Sequence, residues 1–302
     1  MSSERTPPVR FAVLGLGRAG LARCRELAAL EGATLAAVQS RRDPSVFSLP
    51  AELFRSEEEI FNDPTIDAVI ICTENEHHAR LCMSGLEATK DVLVEYPLAG
   101  SSREASALFS LAEERGAYLA LELLGRQSGR YLAHRALARD GQLNELHIYA
   151  AGGLYRWVAL EASRGHWGRL AVGRLHSLYG LFGALSLERA ELESRLDGGY
   201  RLELEFISAR GQRCILQEVR APGERRVSHW EARDSVGAPL TISPPSRGAS
   251  LFGEDLRSFM RERSAGSASA ALIERATAAE IIAVLALAEE IDTLLGERIS
   301  SA

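Results

Sequence analysis

Lysine and cysteine are scarce in this sequence. Lys90 is the only lysine among 302 residues, so a Schiff base or a lysine acid would depend on that one residue. The cysteines form no CxxC pair, and no histidine cluster has zinc spacing, so neither disulfides nor a structural metal site are expected. The four cysteines are Cys24, Cys72, Cys82 and Cys214.

Long apolar runs and long runs of one charge are also missing. Residues 1–8 contain no apolar signal core, and no later stretch approaches ~20 uninterrupted apolar residues. The 35 basic and 41 acidic residues are spread along the chain and give a net charge of -6, which predicts neither a nucleic-acid nor a membrane partner. We therefore expect a cytoplasmic protein, monomeric or homodimeric, that acts on a small molecule.

The first part of the chain alternates short apolar strands with helices. At roughly 100 to 200 residues per domain the length favours two domains, although a single barrel also fits. The alternation predicts an α/β, doubly wound Rossmann domain over residues 1–122. The predicted strands are 9–14, 34–39, 67–73, 92–96 and 118–121, and the predicted helices between them include 76–88 and 101–115.

The second part changes character, because its strand candidates are joined mostly by short turns. Asp197-Gly198 and Arg210-Gly211 are typical of hairpin tips. The pattern predicts a substrate domain over residues 123–302 with an open, mostly antiparallel sheet, and two C-terminal helices that can pack back on the first domain. The predicted strands are 145–150, 190–195, 200–207, 213–219 and 227–232, and the predicted helices are 251–263 and 271–295.

Three glycines between the first strand and the first helix fit a dinucleotide-binding fingerprint. Gly15 permits a tight turn, Gly17 lets the backbone approach a pyrophosphate, and Gly20 lets helix and strand pack closely. Arg18 and Ala19 complete the loop. The alternative interpretation is that the loop is a structural turn that binds no cofactor.

The end of the second strand selects the form of the cofactor. An acidic residue there would bind the ribose hydroxyls of NAD, but the chain has Ser40, Arg41 and Arg42. One hydroxyl and two guanidiniums suit a 2′-phosphate, so the sequence predicts NADPH (or NADP+). The alternative is that the arginines only solvate a turn.

The chain resembles the family of glucose-fructose oxidoreductase, inositol dehydrogenase and rhizopine-catabolism enzymes. Residues 73–78 look like its Thr-Pro-Asn-x-x-His segment, and Glu95-Tyr96-Pro97 stands where the family has Glu-Lys-Pro. The resemblance implies a Rossmann domain followed by an open antiparallel sheet. It also implies that Thr73, Asn75, His78, Glu95 and Tyr96 lie at the cofactor.

Tyr96 departs from the family pattern, since the family's lysine commonly serves in proton transfer from a sugar hydroxyl. Within the family, the biliverdin reductase branch has a tyrosine there. Resemblance to that branch implies an enzyme of heme degradation that delivers hydride from NADPH to the central methine carbon of biliverdin, a linear tetrapyrrole or bilin. The segments that carry it are 15–20, 40–42, 92–97, 174–175, 181–183, 185–187 and 287–291.

Hydride addition leaves negative charge on pyrrole nitrogens, so a cation or a proton donor is needed. The candidate catalytic residues are Arg174, Tyr96 and Glu122. Arg174 is interpreted as an electrostatic stabiliser or proton relay, the alternative being a solvated helix arginine. Tyr96 is expected in the nicotinamide pocket, or as a packed aromatic that replaces the lysine. Glu122 is a catalytic acid or a paired structural group.

Four aromatic residues are expected in a loop that caps the second sheet, where packing is favoured over stacking on a flat ligand. They are Tyr155, Trp157, His166 and Trp167. Two other functions stay open at this point. One is a sugar or polyol dehydrogenase of the same family, and the other is a non-catalytic sensor of NADP(H) or a bilin.

Overall fold

The structure is a computed structural model that describes residues 7–243, 250–265 and 275–300. The chain divides into two compact units. The first comprises Met1–Gln127 and Gly248–Ala278, and the second comprises Ser128–Arg247 and Ala279–Ala302. The first unit therefore extends beyond residue 122. It also includes a later segment, Gly248–Ala278, which follows the second sheet in the sequence.

The first unit contains a parallel sheet of five strands in the order β2-β1-β3-β4-β5. This topology confirms the predicted α/β class. All residues of β3 are buried, as expected when helices cover both faces of a parallel sheet. The strands are β1 (Val9–Leu14), β2 (Ala33–Gln39), β3 (Ala68–Ile71), β4 (Asp91–Val94) and β5 (Leu119–Leu121).

One helix of the first unit, residues 102–115, begins and ends at residues that satisfy its free backbone groups. Ser101 accepts a hydrogen bond from the Glu104 amide at the start of α4, and Gly116 ends that helix with a φ of 64°. In α9, Phe259 is buried and lies 6.0 Å from Phe11 of β1, centroid to centroid. The helices are α1 (Arg18–Ala29), α2 (Glu57–Asn62), α3 (His78–Glu87), α4 (Ser102–Arg115), α5 (Leu124–Gln127) and α9 (Leu251–Ala265).

The second unit contains a mixed sheet of five strands in the order β10-β6-β9-β8-β7. Only β6 and β9 pair in parallel among these strands, so the expected mostly antiparallel sheet is confirmed. Gly198 and Gly211 have φ values of 79° at the predicted hairpin tips. The strands are β6 (Glu145–Gly153), β7 (Leu185–Ser194), β8 (Tyr200–Ser208), β9 (Arg213–Ala221) and β10 (Val227–Arg233).

The helices of the second unit correct one sequence expectation. Trp157 and Trp167 lie in helices rather than in a capping loop, because residues 156–163 form one helix and Trp167 begins the next, while Tyr155 and His166 immediately precede these helices. The predicted helix 271–295 starts outside the described residues and is seen from Ala278 onward. The helices are α6 (Gly129–Arg139), α7 (Arg156–Ser163), α8 (Trp167–Phe182) and α10 (Ala278–Ser300).

Two helices of this unit approach closely at a glycine. A Cβ on Gly168 of α8 would stand 2.1 Å from the carbonyl oxygen of Ala288 in α10, so only glycine fits there. The Gly168 amide also donates to Oδ1 of Asp292 at 2.6 Å. Burial raises the pKa of Asp292 to about 6. In the described residues, no helix combines the length and apolarity that a membrane crossing requires.

Candidate active site

The glycine loop between β1 and α1 is tight at both ends and open in the middle. A Cβ on Gly15 would stand 2.6 Å from the carbonyl oxygen of Cys72, and one on Gly20 would stand 1.9 Å from that of Gly15. At Gly17, no described heavy atom lies within 4 Å of the Cβ position. The loop therefore leaves room for a pyrophosphate at Gly17, which fits a dinucleotide.

The start of α1 adds partial positive charge to the glycine loop. Gly17 has no side chain with which to cap the helix, and the first turn contains Arg18 and Ala19 rather than an acid. Its first amide groups carry partial positive charge directed at the open side of Gly17.

The side chains after β2 are held on this loop. Arg42 donates from its side chain to the carbonyl oxygen of Leu16, and its guanidinium lies 4.6 Å from the ring centroid of Phe47. The Arg42 amide donates to Oγ of Ser40 at 3.1 Å. Arg41 pairs with the carboxylate of Glu74, and both side chains are exposed. The carboxyl ends of β2 and β3 thus bring a carboxylate beside the arginines, which the sequence analysis did not anticipate.

The segment after β3 is tied to the segment after β4 through a buried histidine. Nδ1 of His78 lies 2.7 Å from the carbonyl oxygen of Pro97, and Nε2 lies 3.1 Å from that of Thr73. Burial lowers the pKa of His78. His78 thus holds the turn that carries Thr73 and Asn75, and its placement at the cofactor stays a prediction.

Tyr96 follows β4 and is 45% exposed. The single lysine is fully committed elsewhere, because Nζ of Lys90 donates to the carbonyl oxygens of Asp63 and Ile66 at 2.7 and 3.0 Å. Burial lowers the pKa of Lys90. An amine at the end of β4 is therefore absent, and Tyr96 is the side chain exposed there.

Glu95 and Glu122 belong to a buried charge cluster. Arg23 is fully buried, and its Nη2 lies 2.7 Å from Oδ2 of Asp255 and 3.3 Å from Oε1 of Glu95. Glu122 is 1% exposed and accepts a hydrogen bond from the Leu124 amide at 2.6 Å. Burial, reinforced by the charges of Glu95 and Asp255, raises the pKa of Glu122 well above its usual range. Glu122 is therefore a buried carboxyl whose protonated form is favoured, rather than a surface acid.

Arg174 belongs to a second cluster, inside the second unit. Its Nη1 donates to Oε2 of Glu218 at 2.6 Å, and its side chain is 25% exposed. Glu218 is 1% exposed and also accepts from Nε of Arg220 at 2.6 Å and from the Tyr200 hydroxyl at 3.2 Å. This anchoring fixes the guanidinium of Arg174 on α8 against β9 while leaving part of it accessible.

The sequence analysis missed the residues that hold these side chains. Glu74 was quoted only as part of a motif, and Glu218, Arg23 and Asp255 were not considered. One signal was available for Glu218, since a carboxylate at an inward position of an alternating strand requires a cationic partner. In the first unit the glycine loop, Arg41, Arg42 and the turn after β3 come together at the carboxyl ends of the strands.

Comparison with known proteins relates the first unit to one enzyme family. Residues 9–123 match the Gfo/Idh/MocA oxidoreductase family, described as having an NAD-binding Rossmann fold. The match identifies the protein as an oxidoreductase whose first unit resembles this family. Its first unit is accordingly an NAD(P)-binding Rossmann domain, in agreement with the predicted class of cofactor.

Individual relatives differ in how much of the chain they cover. Biliverdin reductase A of Homo sapiens is 28% identical over 303 residues, covering 96% of this chain and 97% of that protein. The scyllo-inositol 2-dehydrogenase (NADP(+)) of Bacillus subtilis is 31% identical over 99 residues, covering 33% of this chain and 28% of that protein. Similarity to the first protein thus extends through both units.

A solved structure has the same fold. The biliverdin reductase of Synechocystis sp. PCC 6803, crystallised with biliverdin and NADP+, aligns with a TM-score of 0.74 over 95% of this chain and 98% of that chain. The two sequences are 18% identical, so the likeness concerns the fold.

Proposed function

We propose that the protein is an NADPH-dependent biliverdin reductase, which converts biliverdin to bilirubin by hydride transfer to the central methine carbon. The observation that carries this proposal is the exposed Tyr96 at the end of β4, in a chain whose single lysine is buried and bound to two carbonyl groups. Alcohol oxidation of the family type would need a lysine there. The similarity to biliverdin reductase A through both units supports the same substrate.

Residues of the first unit would hold the cofactor. The backbone at Gly15, Gly17 and Gly20 suits the pyrophosphate, and the guanidiniums of Arg41 and Arg42 suit the 2′-phosphate. When bound, NADPH supplies the hydride. The strand end carries Ser40 in place of an acid, which favours NADPH over NADH.

The protein's own residues would stabilise the negative charge that develops on the bilin and supply the proton that neutralises it. The two electrons of the hydride enter at the methine carbon, and the electron pair displaced from the conjugated system is protonated on a pyrrole nitrogen. We assign the stabilisation of this developing negative charge to Arg174, whose guanidinium is held by Glu218. Arginine keeps its protons at neutral pH, so the proton comes from Tyr96, from Glu122 or from water.

Turnover with the two substrates tests the proposal. Mixed with NADPH and biliverdin, the protein should replace the visible band of biliverdin with that of bilirubin and oxidise one NADPH per bilin. Oxidation of inositols or sugars with NADP+, without any change in biliverdin, would identify a polyol or sugar dehydrogenase instead. Tight biliverdin binding with no NADPH oxidation would identify a sensor.

Replacement of the arginines after β2 tests the cofactor assignment. Arg41→Ala and Arg42→Ala should each lose about tenfold to a hundredfold in NADPH affinity, because each removes one charge-assisted phosphate contact. NADH affinity should change little, and Arg103→Ala on α4 is the matched control for charge. Fluorescence titration of both nucleotides gives the ratio, and an unchanged ratio would contradict the assignment.

A further inference from the structure

A cleft of about 420 Å³ lies within the second unit, and none of the residues assigned above to cofactor or bilin lines it. Its walls are the C-terminal parts of α6 and α8 and the turn between β8 and β9. Three arginines line it, Arg135 and Arg139 from α6 and Arg210 from the turn. Arg135 and Arg139 are four residues apart, so they share one face of the helix.

The charge of the cleft is uncompensated. Its lining contains no aspartate or glutamate among the described residues. Within the same described part of the chain, the guanidiniums of Arg135, Arg139 and Arg210 make no ion pair, whereas Arg174, Arg189 and Arg213 all pair with carboxylates. Like charges that line one cleft without an acid repel one another, and an anion bound in the cleft would relieve that repulsion.

The turn that carries Arg210 is held in place before any ligand arrives. Oγ of Ser208 lies 2.8 Å from Oε1 of Gln212, and it accepts hydrogen bonds from the amides of Arg210 and Gln212. Nε2 of Gln212 donates to the carbonyl oxygen of Leu143 at 3.2 Å, which ties the turn to the segment after α6. Such a fixed turn limits the entropy lost when Arg210 binds an anion.

The opposite wall is made largely of small residues. The end of α8 and the two residues after it form this wall, and three of the five, Gly180, Gly183 and Ala184, are small beside Leu181 and Phe182. Gly183 has a φ of 77°, and no described atom lies within 4 Å of its Cβ position. The space in front of the arginines is therefore open to a ligand.

The helix dipole explains the position of only one of the three arginines. Arg139 lies in the last turn of α6, where a positive charge interacts favourably with the helix dipole. Arg135 lies one turn earlier and Arg210 lies in a strand connection, so neither gains from that effect.

We propose that this cleft binds a small molecule that carries two phosphate groups. Guanidiniums match phosphate oxygens in a planar, bidentate way, and three positive charges exceed the charge of about -2 that a single phosphate group carries. The volume falls in the range of roughly 300 to 1,000 Å³ that is typical of small-molecule sites. The site is independent of the proposed reductase activity.

Calorimetric titration with pyrophosphate tests this site. The protein is first loaded with one equivalent of NADPH, so that the glycine loop is occupied and does not bind the probe. One pyrophosphate should then bind per chain, and Arg135→Ala and Arg210→Ala should each weaken binding about tenfold. Arg103→Ala/Arg115→Ala, which removes two exposed cations from α4, should leave the affinity unchanged. Bilirubin formation should proceed normally in all these variants.

Two further measurements separate charge from fold and one phosphate from two. Arg135→Lys keeps the charge but loses the bidentate fork, so it should bind pyrophosphate more weakly than wild type with an unchanged melting temperature. Inorganic phosphate should bind about tenfold more weakly than pyrophosphate, since it engages fewer guanidiniums. Equal affinity for the two probes, no binding to the loaded protein, or binding indifferent to Arg135 and Arg210 would each overturn the proposal.

Discussion

The two units each bury a charge cluster, and the clusters have opposite balance. The cluster of the second unit has one carboxylate, Glu218, between the guanidiniums of Arg174 and Arg220. The cluster of the first unit has more acids than bases. Its carboxyls are Glu95, Glu122, Asp255 and Glu262, and its guanidiniums are Arg23 and Arg275.

The difference in balance gives each cluster a different chemical capacity. Burial, together with the neighbouring charges of Glu95 and Asp255, raises the pKa of Glu122 in the first cluster and favours its protonated form. With bases in excess, the second cluster carries net positive charge. Burial raises the pKa of Tyr200, which remains a neutral donor to Glu218. The proposed bilin reduction needs both a proton and a cation, so in that proposal the first cluster can supply the proton and the second the cation.

The largest expected effect is on stability, from removal of the central cation of the acid-rich cluster. Arg23→Met should destabilise the fold by about 3 to 5 kcal/mol, because buried carboxylates lose their partner. Urea denaturation measures the loss. Arg80→Met, which breaks an exposed pair with Glu57, is the control and should cost under about 1 kcal/mol. Equal losses in the two variants would show that the cluster is not integral to the fold.

The next largest effect is on catalysis, from the base-rich cluster. If Arg174 stabilises charge that develops only as hydride arrives, Arg174→Ala should lower kcat on the order of a hundredfold and change biliverdin binding much less. Steady-state rates and a separate binding titration measure the two quantities. Arg174→Lys should recover little, because an ammonium does not reproduce the planar fork.

Tyr96→Phe is the matched control for the arginine, since it keeps the ring and loses the hydroxyl. A small effect of Tyr96→Phe beside a large effect of Arg174→Ala would exclude the tyrosine as the proton donor. If Arg174→Ala instead retains near-normal kcat and alters only KM, the arginine is a binding residue, and the difference between the clusters has no catalytic meaning.

The proton held by the first cluster should be visible in the pH dependence of stability. Unfolded Glu122 ionises above its usual pKa of 4.5, whereas the folded carboxyl keeps its proton to higher pH. The unfolded state then binds fewer protons, so the free energy of unfolding falls as pH rises from 4.5 towards the raised pKa.

Glu122→Gln should remove that loss, because the amide is neutral at every pH. The variant should match wild type at pH 4 and be more stable than wild type at pH 7, measured by urea denaturation across that range. Glu122→Gln also tests the predicted catalytic role, since a catalytic acid replaced by glutamine would lose kcat while gaining stability. A stability difference independent of pH would show that Glu122 is ionised in the fold.

The sequence was sufficient for features that depend on neighbouring residues. Strand and helix periodicity predicted both sheets, and the spacing of Gly15, Gly17 and Gly20 predicted the loop at the end of β1. Helix α7 was missed because the aromatic residues around Trp157 were interpreted as a cap on the sheet. Nine residues lie between Tyr155 and Gly165, and an amphipathic helix contains most of them.

Local sequence patterns could not predict the charge clusters, because the members of each cluster are far apart in the chain. Arg174 and Glu218 are separated by 44 positions, and Arg23 meets Asp255 of α9 only after the chain has passed through the second unit. Sequence analysis selected Arg174, Tyr96 and Glu122 by residue type and family resemblance. It had no means to show that one is anchored by a carboxylate, one is exposed and one is buried.

The smallest expected effect concerns the anchor of Arg174. Glu218→Gln keeps the size of the side chain and one acceptor oxygen but removes the charge that holds the guanidinium. A less fixed Arg174 should lower kcat about tenfold, because preorganised charge loses part of its effect when it can reorient. Affinity for NADPH, which is bound by the first unit, should not change.

A double-mutant cycle shows whether Glu218 acts through Arg174 or by itself. If it is a positioning residue, Glu218→Gln should lower kcat about tenfold in the wild type and hardly at all in the Arg174→Ala background. A general loss of packing would instead lower kcat by the same factor in both backgrounds, along with the free energy of unfolding. Additive effects would therefore mean that the base-rich cluster is a structural ion pair. Its excess of positive charge would then contribute nothing to the reaction.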